Sequence, residues 1–222
     1  MGFEWLDRGA IPVHPMKKPL SGQTRIACVG DSITYGYGVK GWRKNNYPAV
    51  LAAQLGDAFC VNNYGVSGST ASKDGDQPYS GERMFAQSLL FLPDLVILML
   101  GTNDTKTQNW KGQAHYSEAM RRLIRAYRSQ PNTPQILLLS PPPAWGTPVA
   151  FDISAEILQN EIRPATQRLA EEEDIFFADL FAVFSDHPEL FWDGVHPNAA
   201  GARKLSETVY QCIVTKGLIH HD

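Results

Sequence analysis

The chain has 222 residues, the span of one α/β domain and enough to bury a substantial core. Hydrophobic residues make up 43% and charged residues 19%, as in ordinary soluble globular proteins, and no apolar run reaches the ~18 residues that cross a bilayer. A formal net charge of -3 with no Lys/Arg block argues against nucleic acid or an anionic membrane as an electrostatically held partner.

Residues 1–23 carry charges and prolines without the apolar stretch of a signal peptide. They read as an irregular N-terminal extension of a single domain over residues 1–222, and the expected location is the cytoplasm. The first strand-like run is 25–29, followed by Gly30-Asp31-Ser32 and a turn or short helix over 33–36. A helix is expected over 47–55, with Pro48 tolerated in its first turn. The second strand, 59–64, is stopped by Gly65. A helix over 82–91 leads to the strongest strand, 94–100, stopped by Gly101. A helix over 113–129, a strand over 135–139 and a helix over 154–173 follow. The acidic run 171–174 closes that helix as a solvated face. A fifth strand, 175–178, precedes a loop, and a last helix covers 198–215.

Continuous apolar strands separated by helices fit a parallel sheet covered on both faces, and right-handed crossovers make this a three-layer α/β/α sandwich with a five-stranded parallel sheet. No internal repeat or linker divides it, and Pro141-Pro142-Pro143 reads as a rigid loop after a strand. Cys28, Cys60 and Cys212 lie far apart without C-x-x-C spacing, which disfavours a disulfide framework or a zinc site.

Three polar punctuations, Gly30-Asp31-Ser32, Gly65 and Gly101-Thr102-Asn103-Asp104, fall just past the carboxyl ends of strands, the edge where open parallel sheets bind ligands. Ser32 is the candidate nucleophile, although Gly-Asp-Ser alone reads as readily as a turn or a helix cap. A serine hydroxyl needs a base. In Asp193-Gly194-Val195-His196-Pro197 a carboxylate three residues from an imidazole can take one ring N–H and leave the other nitrogen facing outward. His14, His115, His187, His220 and His221 have no comparable setting. For the negative charge that attack builds on a carbonyl oxygen, the Ser32 and Gly65 backbone N–H groups and the Asn103 side-chain amide are the candidate donors.

The set Gly30-Asp31-Ser32-Ile33-Thr34, Asn63-Tyr64-Gly65-Val66-Ser67-Gly68, Gly101-Thr102-Asn103-Asp104 and Asp193-Gly194-Val195-His196-Pro197 resembles the four blocks of the SGNH (GDSL) hydrolase family. The resemblance implies a flavodoxin-like sandwich and a Ser32–His196–Asp193 triad. It also implies an oxyanion hole from Ser32, Gly65 and Asn103, and neither a metal nor an organic cofactor. Gly75-Asp76-Gln77-Pro78-Tyr79 and 101–106 with Asn109-Trp110 are similar to sialate-O-acetylesterase-like and other carbohydrate acetylesterase members, which implies acetylated sugars as substrates. Trp110 and Trp145, in loops on the active edge, are candidate stacking platforms for a sugar, and Asp31 is a further candidate substrate contact.

Two other readings stay open: a lysophospholipase- or thioesterase-type acyl hydrolase, and a non-catalytic carbohydrate-binding relative. Gly36-Tyr37-Gly38-Val39-Lys40-Gly41 satisfies the dinucleotide fingerprint G-x-G-x-x-G, but its glycines fall too late after the first strand. The G-x-S-x-G elbow and H-E-x-x-H are absent.

Overall fold

Each strand-like run forms a strand: β1 (Thr24–Gly30), β2 (Phe59–Gly65), β3 (Leu95–Met99), β4 (Gln135–Leu139) and β5 (Phe176–Ala178). All neighbouring pairs are parallel, in the order β2-β1-β3-β4-β5. The computed structural model describes residues 16–146 and 149–218. His14, His220, His221 and the first 15 residues of the expected N-terminal extension lie outside the described residues.

Alternate side chains of each strand point to opposite faces, and here both faces are apolar. Ala27, Val29, Val96, Leu98, Ile136 and Leu138 enter one core, whereas Ile26, Cys28, Leu95, Ile97, Leu137 and Leu139 enter the other. Such strands are stable only between two helical layers. One layer holds α4 (Arg83–Leu90), α5 (Gln113–Arg128) and α7 (Arg163–Glu172). The other holds α3 (Tyr47–Leu55), α8 (Leu180–Phe184) and α9 (Ala199–Thr215). All five residues of β3 are at most 1% exposed, so each Leu or Ile there contributes roughly 1.5–3 kcal/mol by burial.

Short polar caps set the helix starts. Asn46 accepts from the Ala49 N–H ahead of α3, and Asn198 accepts from Ala200 and Gly201 ahead of α9. The expected helix over 154–173 is interrupted. α6 (Ala155–Ile157) passes through a π-helical turn, Leu158–Ile162, into α7. Pro164 has no N–H for the regular bond four residues back, which accounts for the wider turn just before it. Two short helices escape the sequence pattern: α2 (Trp42–Asn45), and α8, a wholly apolar Leu-Phe-Ala-Val-Phe run that reads as loop because it has no polar face.

Gly30 pairs with Gly65 on one side and with Met99 on the other. The carboxyl ends of β1, β2 and β3 are therefore level, and their following loops leave the sheet side by side. Among the described residues no helix is long and apolar enough to cross a membrane.

Candidate active site

Ser32 opens the four-residue helix α1 (Ser32–Tyr35). The side chain of Asp31 makes this turn possible by accepting from the Ile33 N–H at 2.9 Å. First-turn N–H groups have no partner inside a helix, and the Ser32 N–H meets no acceptor among the described residues. Gly36, in the left-handed region, ends α1. The apparent dinucleotide fingerprint is thus the stop of one short helix.

Asp193 and His196 lie in a loop that an antiparallel bridge between Phe191 and Pro197 closes at its neck. The Trp192 N–H donates to the His196 carbonyl at 3.1 Å, and the Asn198 N–H to the Leu190 carbonyl at 2.7 Å. Asp193 Oδ1 accepts from the Val195 and His196 N–H groups at 2.9 and 2.7 Å, while Oδ2 lies 2.7 Å from His196 Nδ1. His196 Nε2 is 2.9 Å from Ser32 Oγ across a separation of 164 residues. With Nδ1 donating to a carboxylate, Nε2 is left as the acceptor for the serine proton. Burial pushes the Asp193 carboxyl up, but the His196 ring and the two backbone donors outweigh it, and the group ends below its ordinary value. An ionised carboxylate in this position can stabilise an imidazolium.

The loop after β3 forms a 3-10 turn, Asn103–Thr105. One N–H of the Asn103 amide donates to the Ser69 carbonyl at 3.1 Å, which aims the side chain and leaves its second N–H for the cleft. Asp104 fastens the loop after β2 to this turn, accepting from Ala71 and Ser72 N–H at 2.9 and 2.8 Å.

Gly65 does not meet the role expected for it. Its N–H donates to Asn63 Oδ1 at 2.9 Å, and it is the last residue of β2, buried against α1. A Cβ at Gly65 would lie 2.3 Å from the Tyr35 backbone nitrogen, so the glycine is there to let α1 press on the sheet. Gly68, three residues on, lines the cleft with Ser32, Asn103 and His196, and its N–H meets no acceptor among the described residues. The signal was in the sequence, since Gly65-Val66-Ser67-Gly68 holds two glycines. Only the true end of β2 distinguishes them.

Three further expectations need correction. Asp31 is fully buried as the cap of α1 and cannot touch a substrate. Burial, partly offset by the Ile33 N–H and by His196, pushes its carboxyl up to about 6. Trp110 is partly buried against the core cluster that also holds residues of α4 and α5, and lies outside the cleft lining. Trp145 packs tilted against Phe191 with ring centroids 4.6 Å apart, and its backbone N–H donates to the Gly194 carbonyl at 2.8 Å. It braces the Asp193–His196 loop from behind.

Tyr37 and Phe151 line the cleft, and Trp192 stands just outside that lining beside His196; none of the three stood out from the sequence pattern. Their rings lie 4.8, 5.2 and 6.2 Å from the His196 imidazole. Phe151 and Asp152 both have φ near +60°, a conformation that costs non-glycine residues roughly 1–3 kcal/mol each. The cleft measures about 210 Å³, and Ser67, Thr102, Lys106, Ile153 and Val195 complete its walls. Lys106 Nζ stands 3.8 Å from Asp76. His187 lies elsewhere, exposed between Glu189 and Lys204. His115 pairs with Ser72. Among the described residues no group of three or more His, Cys, Asp or Glu side chains is placed to hold a metal ion.

A model of the GDSL-like lipase/acylhydrolase family matches residues 28–204. The chain is 35% identical over 213 residues to an acetylxylan esterase of Xylanibacter ruminicola, covering 88% of this chain and 44% of that protein. It spans less than half the length of the curated relatives it matches. Among solved structures, an aryl esterase of M. smegmatis superposes with a TM-score of 0.73 at 26% identity, over 88% of this chain and all of that one. A carbohydrate acetylesterase of Sinorhizobium meliloti shares the fold, with a TM-score of 0.71 at 21% identity over 87% of this chain and all of that one.

Proposed function

The chain belongs to the GDSL-like lipase/acylhydrolase family, and from that premise we propose that it is a serine esterase removing short acyl groups, acetyl above all, from carbohydrates. The observation that carries the reading is the 2.9 Å contact between Ser32 Oγ and His196 Nε2, backed by Asp193 at 2.7 Å from Nδ1.

Ser32 Oγ attacks the ester carbonyl while His196 Nε2 takes its proton, and Asp193 stabilises the imidazolium that forms. The carbonyl oxygen becomes an oxyanion facing the Ser32 N–H, the Gly68 N–H and the Asn103 amide. Such donors lower a barrier by roughly 3 kcal/mol each. Collapse of the tetrahedral intermediate breaks the bond to the alcohol, which leaves with the proton held on His196. Water, deprotonated by the same nitrogen, then releases the acid from Ser32.

The size of the cleft supports a short acyl group, since about 210 Å³ falls below the ~300 Å³ at which pockets for drug-sized ligands begin. That volume disfavours the long acyl chain of a lysophospholipid. Similarity to an acetylxylan esterase supports an acetylated sugar. The test compares 4-nitrophenyl acetate with the octanoate, and acetate release from acetylated xylan, for the wild type and Ser32→Ala. Acetyl esters should be strongly preferred and Ser32→Ala inert. A Ser32→Ala variant as active as the wild type would remove the nucleophile. Equal rates on acetyl and octanoyl esters would remove the short-chain preference.

A further inference from the structure

Seven large hydrophobic residues are well exposed among the described residues, and four of them are scattered aliphatics: Leu20, Leu90, Leu92 and Val214. The three aromatics, Tyr37, Phe151 and Trp192, are 40%, 45% and 47% exposed, and all three surround one imidazole. Tyr37 touches both others, edge-on to Phe151 at 6.3 Å and tilted to Trp192 at 6.1 Å. Exposed aromatics gathered around a reacting group mark a binding surface far more often than a packing accident.

Their side of the cleft identifies what they meet. The imidazole must hand its proton to the departing alkoxide, so that oxygen comes within hydrogen-bond reach of His196 Nε2. Whatever is attached to it comes close to the rings gathered 4.8–6.2 Å from that imidazole. The polar lining residues Ser67, Gly68, Asn103 and Lys106 are left for the carbonyl, which the mechanism above assigns to Gly68 and Asn103. The rings are held in position. Gly38, at φ +73°, lies so flat on Trp192 that a Cβ there would come 2.2 Å from its Nε1. Phe151 is presented on left-handed backbone.

We propose that Tyr37, Phe151 and Trp192 form the binding site for the alcohol half of the ester, and that this alcohol offers them a flat ring with an apolar face. The inference rests on the esterase reading above. A sugar ring seen along its C–H face and an aryl ring share this chemistry, since both stack on aromatic side chains that are themselves apolar on the face and polar at the edge.

The test uses three acetates that differ only in the alcohol: ethyl acetate, 4-nitrophenyl acetate and acetylated xylobiose. Trp192→Ala and Tyr37→Ala should each lower kcat/KM on the ring alcohols by about 10-fold relative to ethyl acetate, chiefly through KM, and Trp192→Phe should restore the preference. A greater loss on acetylated xylobiose assigns the site to a sugar, and a greater loss on 4-nitrophenyl acetate assigns it to an aryl group. Equal loss on all three esters would mean that the rings only stabilise the imidazolium charge, and would overturn the proposal.

A second measurement does not depend on turnover. Ser32→Ala is titrated with xylobiose and with 4-nitrophenol while tryptophan fluorescence is followed, alone and combined with Trp192→Phe. A saturable signal lost with Trp192 supports the ring site even if no ester is hydrolysed. Esterase activity with no such signal for either ligand would sink the ring site and leave the hydrolase intact.

Discussion

Among the described residues, two serine–histidine–aspartate sets invite comparison, and they differ in the order of their contacts. In the set at the cleft, Asp193 meets His196 Nδ1 at 2.7 Å and Ser32 meets Nε2 at 2.9 Å, so the ring joins carboxylate to hydroxyl through its two different nitrogens. In the second set, Ser72 Oγ lies 2.8 Å from His115 Nε2, and Asp74 Oδ2 lies 3.5 Å from that same nitrogen. A single nitrogen cannot accept the serine proton while it donates to the carboxylate. Ser72 is also outside the cleft lining, and its backbone N–H is spent on Asp104. Proximity of the three residue types therefore means little without the order of contacts and a donor pair waiting for the product charge.

The hardest test of that contrast is removal of each serine. Ser32→Ala should cost about 10⁴-fold or more in kcat on 4-nitrophenyl acetate, whereas Ser72→Ala should stay within about 3-fold and lose only the stability of the half-buried hydrogen bonds its hydroxyl makes with His115 and the Asp74 N–H. Comparable losses at the two serines would erase the distinction. The carboxylates sharpen it further. Asp193→Asn should lower kcat by about 10³–10⁴-fold by disturbing the tautomer, and Asp74→Asn should leave the rate nearly intact. Asn103→Ala, which removes a donor that the second set has no counterpart for, should lower kcat by about 100-fold with little change in KM. An unchanged kcat would take Asn103 out of the oxyanion site.

The smallest effect concerns stability. Each set stands beside one deeply buried carboxyl, Asp31 and Asp104, that burial pushes up to about 6. The unfolded chain loses these protons near ~3.9, while the folded chain holds them to about 6. Stability contributed by these groups therefore falls as pH rises through that window. Asp193 acts in the opposite sense: its lowered carboxyl adds stability above the unfolded value, and this is lost as pH falls through the folded one. Urea unfolding between pH 4 and 7 should show a shallower decline for Asp31→Asn, on the order of 1–2 kcal/mol, since asparagine can still cap Ile33. Asp193→Asn should alter the more acidic limb instead. A decline of the same steepness in Asp31→Asn would place the responsible proton elsewhere.

Much of this was legible from local pattern. The strand runs and the helices expected over 47–55, 113–129 and 198–215 stand out because burial on both sheet faces demands uninterrupted apolar residues, and Asn46 and Asn198 cap the first and last of these helices. The Asp193–His196 pair could be anticipated because three residues in one loop fix its geometry. The glycine at the cleft could not, because its identity depends on where β2 stops: Asn63 captures the Gly65 N–H, and Gly68 lines the cleft. The tryptophans were misjudged for a similar reason. Trp110 and Trp145 occupy loops at the right edge, yet the path of each loop turns the ring into the domain, while Trp192 stands out beside His196.

By itself the amino-acid sequence determined the layered parallel sheet, the serine after the first strand and the aspartate–histidine spacing, because each rests on interactions between near neighbours. Only the tertiary structure decided that Ser32 would meet an imidazole 164 residues away, which glycine would line the cleft and which rings would surround the imidazole. Those depend on the level carboxyl ends of three strands and on loop paths set by long-range packing, for which no local pattern of residues holds the information.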